Sequence, residues 1–235
     1  MKYEFPHRLS VVAVLVFVFS VVPLNADSFW GNISWSFRGS ILIMPEDNGL
    51  ESDPTPVLPV FGLAAAFPLP ISIPFPFTNS ASLETSLDLY YNNYGYSYSL
   101  QRTIPLAIEN RWTQVLGFVL GIHFLSNIPI NSLLNIRVSG GFAADMRLCL
   151  IAADLNDFEM DQAAEQTEAV TNYFWGSGRW LLPVMGTGLD ISLNEKFLLG
   201  LDLRVWFPLY RLWTGEEVPF IEGWRFGAGF KLTVR

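Results

Sequence analysis

The last twelve residues, Trp224 to Arg235, divide into two faces when read with a period of two. One face carries Trp224, Phe226, Ala228, Phe230, Leu232 and Val234; the other carries Arg225, Gly227, Gly229, Lys231, Thr233 and Arg235. Side chains switch faces at every residue only in a strand, and a helix would mix the two sets. The stretch therefore predicts a β-strand with one apolar face. Such a strand needs a partner on each edge, and in a closed sheet the partner of the last strand is the first.

The first 26 residues have another character. Lys2, His7 and Arg8 precede the apolar run Val11 to Phe19, which continues through Val21 and Val22, and Leu24-Asn25-Ala26 ends on a small residue. The run is about half the ~20 residues of a spanning helix, so it reads as a cleaved export signal. The expected division is 1–26 as signal peptide and 27–235 as a single β-barrel domain.

Between these ends the alternation recurs seven times. The expected strands are Phe29 to Ile43, Val60 to Phe67, Ala81 to Tyr91, Trp112 to Leu125, Leu134 to Leu148, Trp180 to Leu193 and Phe197 to Phe207. Pro59 is expected to limit the start of the second strand, because a proline cannot donate to the ladder. Pro68, Pro70, Pro74 and Pro76 turn the apolar stretch after it into a stiffened connection. In the sixth strand Leu182 and Val184 interrupt the polar face. The segment Asp154 to Glu168 contains enough Ala, Glu and Gln to suggest a short helix.

Alternation alone allows either a calyx with an apolar interior or a barrel with an apolar exterior. The polar face decides between them. It is built from Gly117, Gly121, Gly141, Gly186, Gly188, Gly200, Gly227 and Gly229, from serines, and from isolated charges. A solvated surface would carry many long side chains, yet the chain has only Lys2, Lys196 and Lys231 as lysines. Small residues suit the crowded lumen of an eight-stranded barrel. The apolar face is then the lipid face. The charges assigned to the lumen are Arg38, Arg137, Arg147, Arg204, Arg225 and Lys231 against Glu84, Asp88, Asp145, Asp190 and Asp202, a near balance that predicts an ion-paired plug. Phe29, Trp112, Phe207 and Trp224, at the ends of apolar faces, are the expected interface girdle.

Several functions are disfavoured. The net charge of -8 opposes nucleic-acid binding, which needs a basic footprint. The single Cys149 excludes an internal disulfide. His123 with Ser126 is the one mature histidine pairing that could serve catalysis, and no acid near it in sequence would orient the imidazole. No catalytic residue, cofactor or metal site is expected. The long connections carry Glu46, Asp47, Glu51, Asp53, Glu109, Asp154, Asp157, Glu159, Asp161, Glu165, Glu168, Glu216, Glu217 and Glu222. These acidic loops would favour divalent cations.

With signal peptide, eight alternating strands, long loops and a terminal strand, the chain resembles the small eight-stranded outer-membrane β-barrel proteins, in particular the OmpW and OmpX kind. The resemblance is one of architecture and spans the mature chain; the usual terminal aromatic is replaced by Thr233-Val234-Arg235. It implies an all-β, eight-stranded antiparallel up-and-down transmembrane barrel in the cell outer membrane. Its partners would be outer-membrane lipid and the outer-membrane assembly machinery. The expected function is non-enzymatic: a structural or adhesive surface protein or a minor small-molecule conduit. The alternatives are a secreted or periplasmic soluble β-barrel that binds an apolar ligand, and a lipid-modifying barrel enzyme dependent on His123.

Overall fold

The computed structural model describes residues 33–44, 57–69, 81–96, 111–151, 175–214 and 223–235. Eight strands close into one all-antiparallel barrel in chain order. They are β1 (Ser34–Ile43), β2 (Val57–Pro68), β3 (Ala81–Tyr96), β4 (Arg111–Pro129), β5 (Leu134–Ile151), β6 (Leu181–Ser192), β7 (Phe197–Trp206) and β8 (Arg225–Val234). The closing seam joins β1 to β8 from Trp35 with Val234 to Ile43 with Phe226.

The register fixes the barrel's shape. Followed strand to strand through β2, β3 and β4, Arg38 pairs with Gly62, Asp88 and Val119, and the row reaches β5 at Asp145. Followed the other way, through Lys231, Gly200 and Asp190, the row reaches β5 at Asn135. The two arrivals are ten residues apart, which is the stagger of the closed sheet and tilts the strands by roughly 35 to 45°. A tilt of that size leaves a lumen that side chains alone can fill.

The apolar face points outward. Phe61, Phe230, Met185 and Phe124 are 63 to 70% exposed, while the alternate residues of the same strands are buried. A greasy-lined calyx would show the reverse.

Several strands differ in extent from the sequence reading. β2 begins at Val57 and runs through Pro59. Pairing with β3 stops at Val60, so Pro59 faces only β1, and on the open side a missing donor costs nothing. β3 and β4 continue as a paired ribbon to Tyr96 and Arg111, beyond the expected ends at Tyr91 and Trp112. β4 also runs on to Pro129, so the link expected from Ser126 to Ser132 shrinks to the turn after Pro129. Pro68 belongs to β2, and Leu69 closes that end by donating to the Ala81 carbonyl at 2.9 Å. Residues 1–32, the rest of the proline segment, the Asp154 to Glu168 helix and the acidic loop residues lie outside the described residues.

The two short turns share one construction. Asn131 Oδ1 accepts from the backbone N–H groups of Leu133 and Leu134 at 2.9 and 2.8 Å. Asn194 Oδ1 accepts from Lys196 and Phe197, both at 2.9 Å. In each, the residue before the asparagine donates to the residue that opens the next strand, Ile130 to Leu134 and Leu193 to Phe197, at 2.9 Å. A short amide side chain that bonds its own backbone is the device that reverses the chain without glycine. Arg235 joins this end of the barrel, its N–H donating to the Lys196 carbonyl at 2.9 Å.

Replacing Asn131 or Asn194 by Ala is expected to cost about 1 kcal/mol each, with the double variant near the sum because the turns share no partner. Urea titration of the folded fraction in detergent micelles checks both values.

Candidate functional site

All eleven charged residues assigned to the lumen are buried, none more than 8% exposed. They fall into two groups separated by an apolar layer.

The lower group, toward the short turns, holds Arg38, Arg137, Arg204 and Lys231 with Glu84, Asp88, Asp190 and Asp202. Lys231 Nζ lies 2.5 Å from Glu84 Oε2. Arg137 grips the two oxygens of Asp190 at 2.6 and 2.7 Å and reaches Asp202 at 2.7 Å. Arg204 meets Asp88 at 3.0 Å and Asp202 at 2.8 Å. Four cations and four carboxylates thus neutralise one another out of water, as burial of ionic groups requires.

Glycine makes these contacts possible. Arg137 on β5 and Asp202 on β7 both pair with Gly188 on β6, so their ion pair crosses an intervening strand. A Cβ at Gly188 would collide with the Arg137 guanidinium. Gly62 is the same kind of saddle between Arg38 on β1 and Asp88 on β3.

The upper group is Asp145, Arg147 and Arg225 with Tyr90. Asp145 Oδ2 accepts from Arg225 at 2.6 Å and from Arg147 at 2.8 Å, and the Tyr90 hydroxyl donates to Asp145 at 3.0 Å. Between the groups lie Leu42, Val60, Val119, Ala143, Leu182, Val184 and Trp206, all members of one buried cluster. The order follows from register. Leu42 and Trp206 each stand beyond an arginine of the lower group on their own strand, toward the long loops. Gly227, the partner of Leu42, follows Arg225 on β8 by two residues, so Arg225 stands nearer the long loops.

This layer was not expected as a unit. Its sequence signal was the pair Leu182 and Val184 interrupting the polar face; they are 0 and 2% exposed and point into the lumen. Leu42, Val60 and Val119 carry the same signal on other strands.

His123 and Ser126, the pairing disfavoured for catalysis, share no hydrogen bond among the described residues. The strand register sets His123 opposite Glu84 and places its Nε2 3.2 Å from Ser86 Oγ. Ser126 Oγ is buried without a hydrogen-bond partner among the described residues. Of the girdle residues, Phe207 and Trp224 make an edge-to-face contact at 4.9 Å, and Trp224 stacks with Phe226 at 6.2 Å. Trp112 lies in β4, while its side chain and all of Phe29 fall outside the described residues. Among the described residues no cluster of three or more His, Cys, Asp or Glu could hold a metal ion.

No protein-family model and no curated protein matches the sequence. Solved structures similar to the chain include Neisserial surface protein A, at 8% identity and TM-score 0.46, with 86% of this chain and 94% of that one covered. The N-terminal β-barrel domain of Pseudomonas aeruginosa OprF is similar at 11% identity and TM-score 0.38, covering 85 and 96%. The outer membrane enzyme PagL is similar at 7% identity and TM-score 0.41, covering 86 and 98%. A surface protein and an enzyme thus stand side by side, and no activity passes from them to this chain.

Lys231→Met would leave Glu84 with ion pairs no closer than 3.7 Å, and the expected loss is about 3 kcal/mol. Adding Glu84→Gln should recover much of it. A double-mutant cycle by urea unfolding in lipid vesicles measures the coupling, and simple additivity of the two losses would refute the pairing.

Proposed function

We propose that the chain is an integral outer-membrane β-barrel, exported by residues 1–26, that displays acidic loops at the cell surface in a structural or adhesive role. The observation that carries this reading is the inversion of the barrel: exposed Phe, Leu and Met outside, paired charges inside. Apolar side chains left in water along a whole sheet would drive association, whereas lipid accommodates them. A soluble barrel for an apolar ligand would need its greasy face turned inward.

Within this reading the filled lumen favours the structural role over that of a conduit. Ion-paired charges and the apolar side chains packed above them occupy the described lumen, where a conduit needs an open channel. His123 and Ser86 are enclosed in the same lumen, away from the lipid face, which supports a protein without enzymatic chemistry. Outer-membrane lipid and the assembly machinery are the partners this role requires, and divalent cations would bind at the acidic loops.

After alkaline washing, the mature protein should stay with the outer-membrane fraction and migrate differently on gels before and after boiling. Release into the supernatant would overturn the membrane reading. In planar bilayers the folded barrel should give no large steady conductance; such a conductance would refute the closed lumen while leaving the location intact.

A further inference from the structure

The carboxylates nearest Arg38 are already engaged by other cations. Glu84 is held by Lys231 at 2.5 Å, Asp88 by Arg204 at 3.0 Å, and Asp202 by Arg137 and Arg204 at 2.7 and 2.8 Å. Arg38 stands back from the same three groups, at 3.7, 3.5 and 4.0 Å. Its side chain is 2% exposed, and its Nε, Nη1 and Nη2 have no hydrogen-bond acceptor among the described residues. A buried guanidinium left in that condition costs free energy unless its donors are met.

A cavity of about 20 Å³ adjoins this guanidinium, with walls from the lower ionic group, the apolar layer and Arg225 of the upper group. Arg38, Asp88, Asp202, Arg204, Arg225 and Trp206 are among its walls. Arg225 Nε also lacks an acceptor. The space suits roughly one or two water molecules.

The chemistry of the walls selects the occupant. A free anion would sit within reach of two carboxylates, Asp88 and Asp202, and a cation would face three guanidinium groups. A small neutral molecule that both accepts and donates is compatible with each. We propose that this cavity is a built water site, whose occupant accepts from Arg38 and donates to Asp88 or Asp202. It bridges the loose ion pairs of Arg38 with Asp88 or Asp202, at 3.5 and 4.0 Å, by hydrogen bonds. Leu42, Val60, Val119 and Trp206 supply the apolar part of its wall.

The test is a crystal structure of the mature barrel, grown with bromide and at a resolution that places ordered waters. The expected result is a density peak within hydrogen-bond distance of an Arg38 nitrogen and of an Asp88 or Asp202 oxygen, without bromide anomalous signal. A bromide peak at Arg38 would assign an anion site instead and overturn the proposal. So would a cavity without density, or Arg38 bonded directly to a carboxylate.

Discussion

A narrow barrel can hold an ionic interior only if every charge finds a partner within it, either across the lumen, as Arg204 on β7 meets Asp88 on β3, or along the wall over a strand that carries no side chain. Arg137 and Asp202 meet across β6 because Gly188 offers no Cβ between them. The glycines weaken the strands that carry them, since they bring no side chain to pack. Hydrogen bonds on both edges of every strand in the closed sheet, and ion pairs drawn over the glycines, offset that cost.

Much of this was readable in advance because the β period is short and the lumen admits few residue types. Each of the eleven assigned charges was chosen by its face alone, and each lies on the buried face. Partners were not readable. Which carboxylate on β3 meets Arg204 on β7 depends on a stagger of ten residues accumulated around the sheet, and no local pattern encodes that number. The neighbours of His123 are set in the same way: Ser126 is close to it in sequence, while register brings Ser86 from β3. Pro59 misled because the rule against proline assumes neighbours on both edges, and at Pro59 β2 has only one.

The apolar layer changes what a plugged lumen means. Ion pairs alone can exchange partners with water and leave a leak; Leu182, Val184 and Trp206 pack the middle of the lumen, and the two ionic clusters share a small cavity there, with Arg38 and Arg225 both in its wall. The lumen is therefore stratified, and its middle resembles the core of a soluble protein more than a pore. Exterior and interior divide the labour: the outer face is matched to lipid, and the inner layers supply the packing that the outer face gives up.

The pairing of β1 with β8 gives the barrel an uneven assembly. Every other strand pair is a hairpin between neighbours in the chain, whereas Ser36 and Thr233, hydrogen-bonded at 2.9 Å, are separated by 197 positions. The entropy of bringing such distant segments together is met in this one step. Until it closes, both edge strands expose unpaired backbone that hydrocarbon cannot satisfy. The seam is thus the slow, committing event in the life of the fold, and the point at which a helper that shields open edges would matter most.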